Sequence, residues 1–189
     1  MNACEPLYRP PAMLRAGMAS DAFGRKGPMN WKDLLAAEIE YNYAATEKLM
    51  DMADDDSLSW KPATGDNWMT TGQLLLHLTN ACGMAFKGFA TGDWGLPEGV
   101  DMADMPAEDM MPPAEKMSAA TSVAEAKRLL AEDKKTALDI LADCTEKRLA
   151  EEPAPVPWDP GDNVMLGHRL LQMVYHLNQH KGQLFYYLK

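Results

Sequence analysis

The stretch that decides the fold lies near the C-terminus and reads Met173-Val174-Tyr175-His176-Leu177-Asn178-Gln179-His180-Lys181-Gly182-Gln183-Leu184. Apolar residues recur through and around it every three or four positions, at Leu166, Leu170, Met173, Leu177, Leu184 and Leu188. This is the period of an amphipathic helix. The pattern predicts a helix that begins after the cap pair Asp162-Asn163 and runs to the end of the chain. His176 and His180, four residues apart, lie on one face of it.

Three further segments have helical periodicity, at 31–53, 70–89 and 122–152. Asn30 is a predicted N-cap for the first. The pairs Thr70/Gln73 and Ser122/Glu125 have capping-box spacing, which satisfies free amides at a helix start. No segment has the alternation of a half-buried strand. Four amphipathic helices predict an all-α protein, a four-helix bundle.

A long loop is predicted between helices two and three. Residues 92–118 follow the helix end at Gly92 and have no period, with prolines at 97, 106, 112 and 113. Loops of this length are usually functional or disordered, so we expect a lid across one end of the bundle. Residues 1–28 are rich in Pro, Gly and Arg and are predicted to be an irregular tail. Residues 29–189 are then one domain.

Composition excludes several classes of function. Among 189 residues, 28 acidic and 18 basic side chains give a net charge of −10. Such a surface repels phosphate backbones, so no nucleic-acid partner is expected. No apolar run is long enough for a bilayer and no secretory signal is recognisable, so no membrane partner is expected. Three cysteines without a pairing pattern favour a reducing compartment, the cytoplasm.

Three of the four histidines lie in apolar helical segments, because His77 falls on the buried stripe of helix two and joins His176 and His180. A single histidine there is usually a core residue bonded to a backbone carbonyl. Burying three without a shared partner would cost about a few kcal/mol each. A divalent cation removes that cost, and three neutral ligands leave one coordination position open. Metalloprotease, carboxylate-bridged di-iron, phosphate-loop and nucleophile-elbow motifs are absent.

Several other residues are candidates for ligands, for partners of ligands or for packing residues. His168 would be about 12 Å from His176 along the helix, which predicts a surface residue and not a ligand. Gln183 is a candidate partner for a ligand's second nitrogen, or a packing amide. Gly182 is expected to allow close helix approach. Cys82 is not on the face of His77 and is not expected to be a ligand. Two alternatives are open for the indoles of Trp60, Trp68 and Trp94. They either line a pocket near the metal or belong to loops that pack over the end of the bundle.

A family resemblance rests on Trp60-Lys61-Pro62, on Trp68 leading into the His77 helix, and on His176-x-x-x-His180-Lys-Gly-Gln. Over residues 30–189 these resemble the DinB/YfiT-like metalloenzyme family. The resemblance implies an up-down-down-up four-helix bundle, often dimeric. It implies one divalent ion, typically nickel or zinc and sometimes iron or manganese, on His77, His176 and His180. One departure is Gln179, where many relatives have a second adjacent histidine.

Two functional hypotheses follow. The first is a divalent-metal-dependent enzyme, a transferase or hydrolase. The resemblance suggests a low-molecular-weight thiol as cosubstrate, because characterised relatives include thiol-dependent S-transferases and isomerases. The second is a non-catalytic dimeric bundle, for stress response or ligand binding, with a vestigial metal site. Acidic residues cluster in loops and on charged faces, so no catalytic acid or base is predicted.

Overall fold

The computed structural model describes residues 30–100, 102–106, 112–157, 159 and 161–189. These residues form six α-helices and no strand. The helices are α1 (Trp31–Met50), α2 (Thr71–Leu78), α3 (Gly83–Thr91), α4 (Val123–Asp143), α5 (Glu146–Glu151) and α6 (Leu166–Tyr187). The all-α prediction is confirmed, while the up-down-down-up order stays a prediction. The predicted tail over residues 1–28 lies outside the described residues.

One apolar core joins the helices. α1 and α3 both pack against α4 and α6, and α2 packs mainly on α6. Burying each large apolar side chain stabilises the fold by about 1.5–3 kcal/mol. The fully buried side chains come from all six helices and include Leu35, Ile39, Leu74, Leu75, Phe86, Ala137, Leu149, Leu170 and Leu177. Within the described ranges, no helix is both long enough and apolar enough to cross a bilayer.

Two predicted helix starts are confirmed and a third is partly right. Asn30 accepts a hydrogen bond from the Asp33 amide at 2.8 Å. Thr70 and Gln73 make both bonds of the capping box. Ser122 accepts from the Glu125 amide, but the Glu125 carboxylate bonds Thr121 rather than Ser122. The first helix ends at Met50, three residues earlier than expected.

The predicted helix over 70–89 is wrong in one respect, because it is two helices separated at 79–82. The Asp133 carboxylate on α4 accepts from the amides of Gly83 and Met84, both at 2.9 Å, and so starts a new helix. A Cβ on Gly83 would overlap the backbone of Asp133, so glycine permits this approach. The acceptor is fifty residues away in sequence, where no local pattern reveals it.

The predicted third helix also divides. α4 ends at Asp143, and the Thr145 hydroxyl caps α5 by accepting from the Arg148 amide at 3.1 Å. The Glu146 carboxylate then accepts from the amides of Trp31 and Lys32, at 3.0 and 2.8 Å. The turn therefore gives the first amides of α1 an acceptor that a straight helix would not bring there.

The predicted cap pair Asp162-Asn163 does not cap the last helix. α6 begins at Leu166, and its N-cap residue, Met165, makes no side-chain cap. Asp162 instead pairs with the buried guanidinium of Arg169. Charge pairing inside the fold outweighs local capping here, because an unpaired buried guanidinium is costly.

The predicted long loop is irregular in its described parts, apart from two short 3-10 turns at Met102–Asp104 and Ala114–Lys116. Gly92 ends α3 in the left-handed conformation, with φ of 76°. The Gln73 amide donates to the carbonyls of Ala114 and Met117, at 2.6 and 2.8 Å. These bonds hold the end of the loop against the start of α2, beside the histidines.

Candidate metal centre

The structure brings the three predicted histidines together. His77 comes from α2, and His176 and His180 come from successive turns of α6. One ring nitrogen of each lies within 4.8 Å of the others. The ring centre of His77 is 4.4 Å from that of His180 and 5.3 Å from that of His176. His168 is exposed, as predicted.

The protonation of His176 is determined by a backbone carbonyl. Its Nδ1 lies 3.1 Å from the carbonyl oxygen of Ala81, in the break between α2 and α3. A carbonyl oxygen can only accept, so Nδ1 carries the hydrogen. In neutral imidazole the other ring nitrogen, Nε2 of His176, then presents a lone pair. The break that the helical pattern missed supplies this bond.

The protonation of His180 follows from a longer chain of hydrogen bonds. The Tyr187 hydroxyl donates to the carbonyl of Met69 at 3.0 Å, and so accepts from the Gln183 amide nitrogen at 3.2 Å. The Gln183 oxygen then faces Nδ1 of His180 at 3.1 Å and accepts from it. Nε2 of His180 therefore also presents a lone pair. Gln183 thus holds the second nitrogen of a candidate ligand, as one of its two interpretations predicted. Nothing in the sequence indicated the part played by Tyr187 beyond its helical spacing.

The two lone pairs face each other. Nε2 of His176 and Nε2 of His180 are 3.0 Å apart. Two lone pairs at that distance repel unless a proton or a metal ion lies between them. Metal–nitrogen bonds of about 2.0–2.1 Å would span about 3–3.4 Å between two ligand nitrogens. The nitrogens therefore fit one divalent ion, with His77 beside them.

Burial disfavours the charged forms of His77 and His180. Desolvation, together with the charges of His180 and His176, lowers the pKa of His77 to about 4. Desolvation also lowers the pKa of His180, against an opposing effect of its bond to Gln183. Both imidazoles are therefore unprotonated near neutral pH, which leaves their lone pairs available to a cation.

The cluster lies at the wall of a cavity of about 860 Å³. Trp94 lines this cavity, as one interpretation predicted. Trp60 and Trp68 instead pack edge-on against Tyr187, with ring centres 5.2 and 6.4 Å from that of the tyrosine. For these two indoles the other interpretation, packing at the end of the bundle, is the one observed. The described parts of loop 92–118 cover one side of the cavity.

Gly182 and Cys82 lie close in sequence to the histidines, and the structure tests what was predicted for each. Among the described residues, no atom would lie within 4 Å of a Cβ on Gly182, so the predicted close helix approach is wrong. The glycine therefore faces open space and not a neighbouring helix of the described part of the chain. Cys82 is a buried free thiol whose pKa burial raises, beside Tyr43 and Asp133, so its exclusion from the cluster is confirmed.

Fold and site together define an all-helical protein with a three-histidine cluster that could hold a metal ion. The chain belongs to the DinB superfamily, whose family model matches residues 38–184. That range contains all three histidines and confirms the resemblance. No curated protein matches the chain.

Proposed function

We propose that this protein is an enzyme that depends on one divalent cation held by His77, His176 and His180. The observation that carries the proposal is the pair of Nε2 lone pairs 3.0 Å apart beside a third imidazole. When bound, the cation would supply Lewis acidity and lower the pKa of a water molecule or thiol in the cavity. Imidazole ligands suit nickel, zinc and iron, while manganese is a candidate only through the family resemblance.

The proposed reaction class is thiol-dependent S-transfer or hydrolysis. Membership of the DinB superfamily supports it, as does a substrate-sized cavity beside the histidines. In this reaction Gln183 and the Ala81 carbonyl hold the Nδ1 protons, which keeps the Nε2 atoms free.

Metal content tests the site. Tag-free protein should contain about one divalent ion per chain by elemental analysis. His176→Ala and His180→Ala should each lose it, because a two-nitrogen site binds far more weakly. His168→Ala is the matched control, an exposed histidine of the same helix, and should keep the ion. Full metal occupancy in both cluster variants would contradict the proposal.

Activity tests the reaction. Metal-loaded protein should catalyse thiol transfer or ester hydrolysis in a substrate screen, and a chelator should abolish the activity. Activity that is equal with and without metal would contradict metal dependence. Metal binding without any turnover would favour the second hypothesis, a non-catalytic stress-response or ligand-binding bundle.

We also propose that the protein is a homodimer that works in the cytoplasm. Tyr175, Phe185 and Tyr186 are 51%, 43% and 73% exposed on α6. We call these three residues the aromatic face. Residues 164–189 contain no acidic residue, although the chain has a net charge of −10. Depletion of acids with exposed aromatics is typical of interfaces. The free thiols of Cys82 and Cys144 suit a reducing compartment.

A further inference from the structure

The cavity beside the histidines has a wall of thioether and indole groups. Its volume of about 860 Å³ lies within the range of about 300–1,000 Å³ usual for small-molecule sites. Methionine side chains are flexible and polarizable, so they adapt to apolar ligands. The wall consists of Met69, Met84, Met102, Met117 and Trp94.

Trp94 is held in place without a ligand. Its indole packs edge-on against Phe89, with ring centres 4.8 Å apart. A Cβ on Gly88 would overlap the indole, so this glycine forms the seat for Trp94. A preformed aromatic wall reduces the ordering cost of binding an apolar group.

The charge of the cavity favours an anion. No described residue that lines it is acidic, although the chain contains 28 acidic residues. Lys116 is the one lysine or arginine among the described lining residues, and it is exposed at the cavity rim. Asn80 and Ser118 add neutral donors. A cation on three neutral histidines would keep its full positive charge, since no carboxylate ligand offsets it.

We propose that this cavity binds a small organic carboxylate with an apolar body. The carboxylate lies toward the histidines, and the body packs between Trp94 and the methionine side chains. The inference names the substrate class of the proposed enzyme, and it rests on the proposed function for the charge at the histidines. The prediction of an apolar body rests on the residues of the cavity wall alone.

Three probes separate charge from apolar contact. Phenylpropanoate has both features, phenylpropanol lacks the charge, and propanoate lacks the ring. Calorimetry on metal-loaded, full-length protein should show phenylpropanoate binding at least about tenfold tighter than either of the others. Equal affinity for the acid and the alcohol, or for the two acids, would overturn the inference.

Variants assign the two features to residues. Trp94→Ala should weaken phenylpropanoate about tenfold and leave propanoate nearly unchanged. Tyr41→Ala, at an exposed aromatic on α1 that does not line the cavity, is the control. Lys116→Met should weaken both acids a few-fold, whereas Lys147→Met, an exposed lysine on α5, should not. Unchanged phenylpropanoate binding in Trp94→Ala would overturn the inference.

The same samples separate this inference from the proposed function. Their metal content is measured before each titration. Protein that binds metal but does not distinguish the probes contradicts the substrate class alone. Protein that binds no metal contradicts the proposed function. The acid–alcohol comparison on that protein then decides whether three imidazoles and Lys116 suffice to select the carboxylate, and Trp94→Ala decides whether the cavity wall binds the ring.

Discussion

At the scale of single residues, two backbone carbonyls determine the state of the cluster. Ala81 accepts directly from His176, and Met69 acts on His180 through Tyr187 and Gln183. Metal-bound histidines often donate to carboxylates, which add negative charge to a site. Neutral acceptors orient the rings without that charge. The centre therefore keeps more of the positive charge of a bound ion.

Gln183→Leu should weaken metal affinity about 10- to 100-fold, because Nδ1 of His180 loses its acceptor. Tyr187→Phe should have a smaller effect in the same direction, since Gln183 keeps its oxygen but loses its anchor. Competition with a chromophoric chelator measures both affinities. Tyr186→Phe removes the neighbouring, exposed hydroxyl and should bind like wild type. Wild-type affinity in Gln183→Leu would show that the bond is not needed.

The pKa of His77 predicts how pH affects metal-free protein. It is about 4 in the fold and about 6.5 in an unfolded chain. Between these values the unfolded chain binds more protons, so stability falls as pH drops from about 6.5 toward about 4. The loss from about pH 7 to about pH 5 should be about 1–2 kcal/mol, allowing for partial solvent access.

Urea unfolding in chelator at both pH values measures this loss. His77→Asn has no titrating group at the position and should have a shallower pH dependence. His168→Asn, changed at an exposed histidine, should keep the wild-type dependence. An identical dependence in His77→Asn and wild type would contradict the prediction.

At the scale of elements, the break between α2 and α3 connects the fold to the site. Asp133 holds the start of α3, and the freed segment directs the Ala81 carbonyl at His176. A continuous helix would use that carbonyl in its own hydrogen bonds. The division of the helix is therefore part of the candidate metal centre.

Asp133→Asn should reduce the free energy of unfolding by about 2–3 kcal/mol. The carboxylate accepts from Gly83, Met84 and the Tyr43 hydroxyl, the last at 2.6 Å. An amide offers one oxygen for these buried donors. Chemical denaturation measures the change. Asp139→Asn makes the same substitution at an exposed site on α4 and should change stability little. Equal stability of both variants would show that Asp133 is not needed there.

At the scale of the whole molecule, the aromatic face predicts assembly. Light scattering should give the mass of a dimer. Tyr186→Glu should shift the protein toward monomer, because the new charge would be buried between copies. Lys147→Glu adds an acid on exposed α5 and should remain dimeric. A wild-type monomer, or a dimeric Tyr186→Glu variant, would contradict the proposed interface.

The sequence by itself determined the all-α class, the family and the three residues of the cluster. Helical period and capping signals are local, so Asn30 and the Thr70/Gln73 box could be located from a few residues. The spacing of His176 and His180 placed them on one face for the same reason.

Only the tertiary structure decided where the helices break and how the imidazoles are protonated. Asp133 and Glu146 accept hydrogen bonds from the first amides of helices that are far away in sequence. Local periodicity cannot predict such contacts. The same applies to the bond between His176 and Ala81 and to the open space at Gly182. Local pattern can thus name the metal-binding candidates. The direction of their lone pairs depends on hydrogen bonds that exist only after the chain has packed.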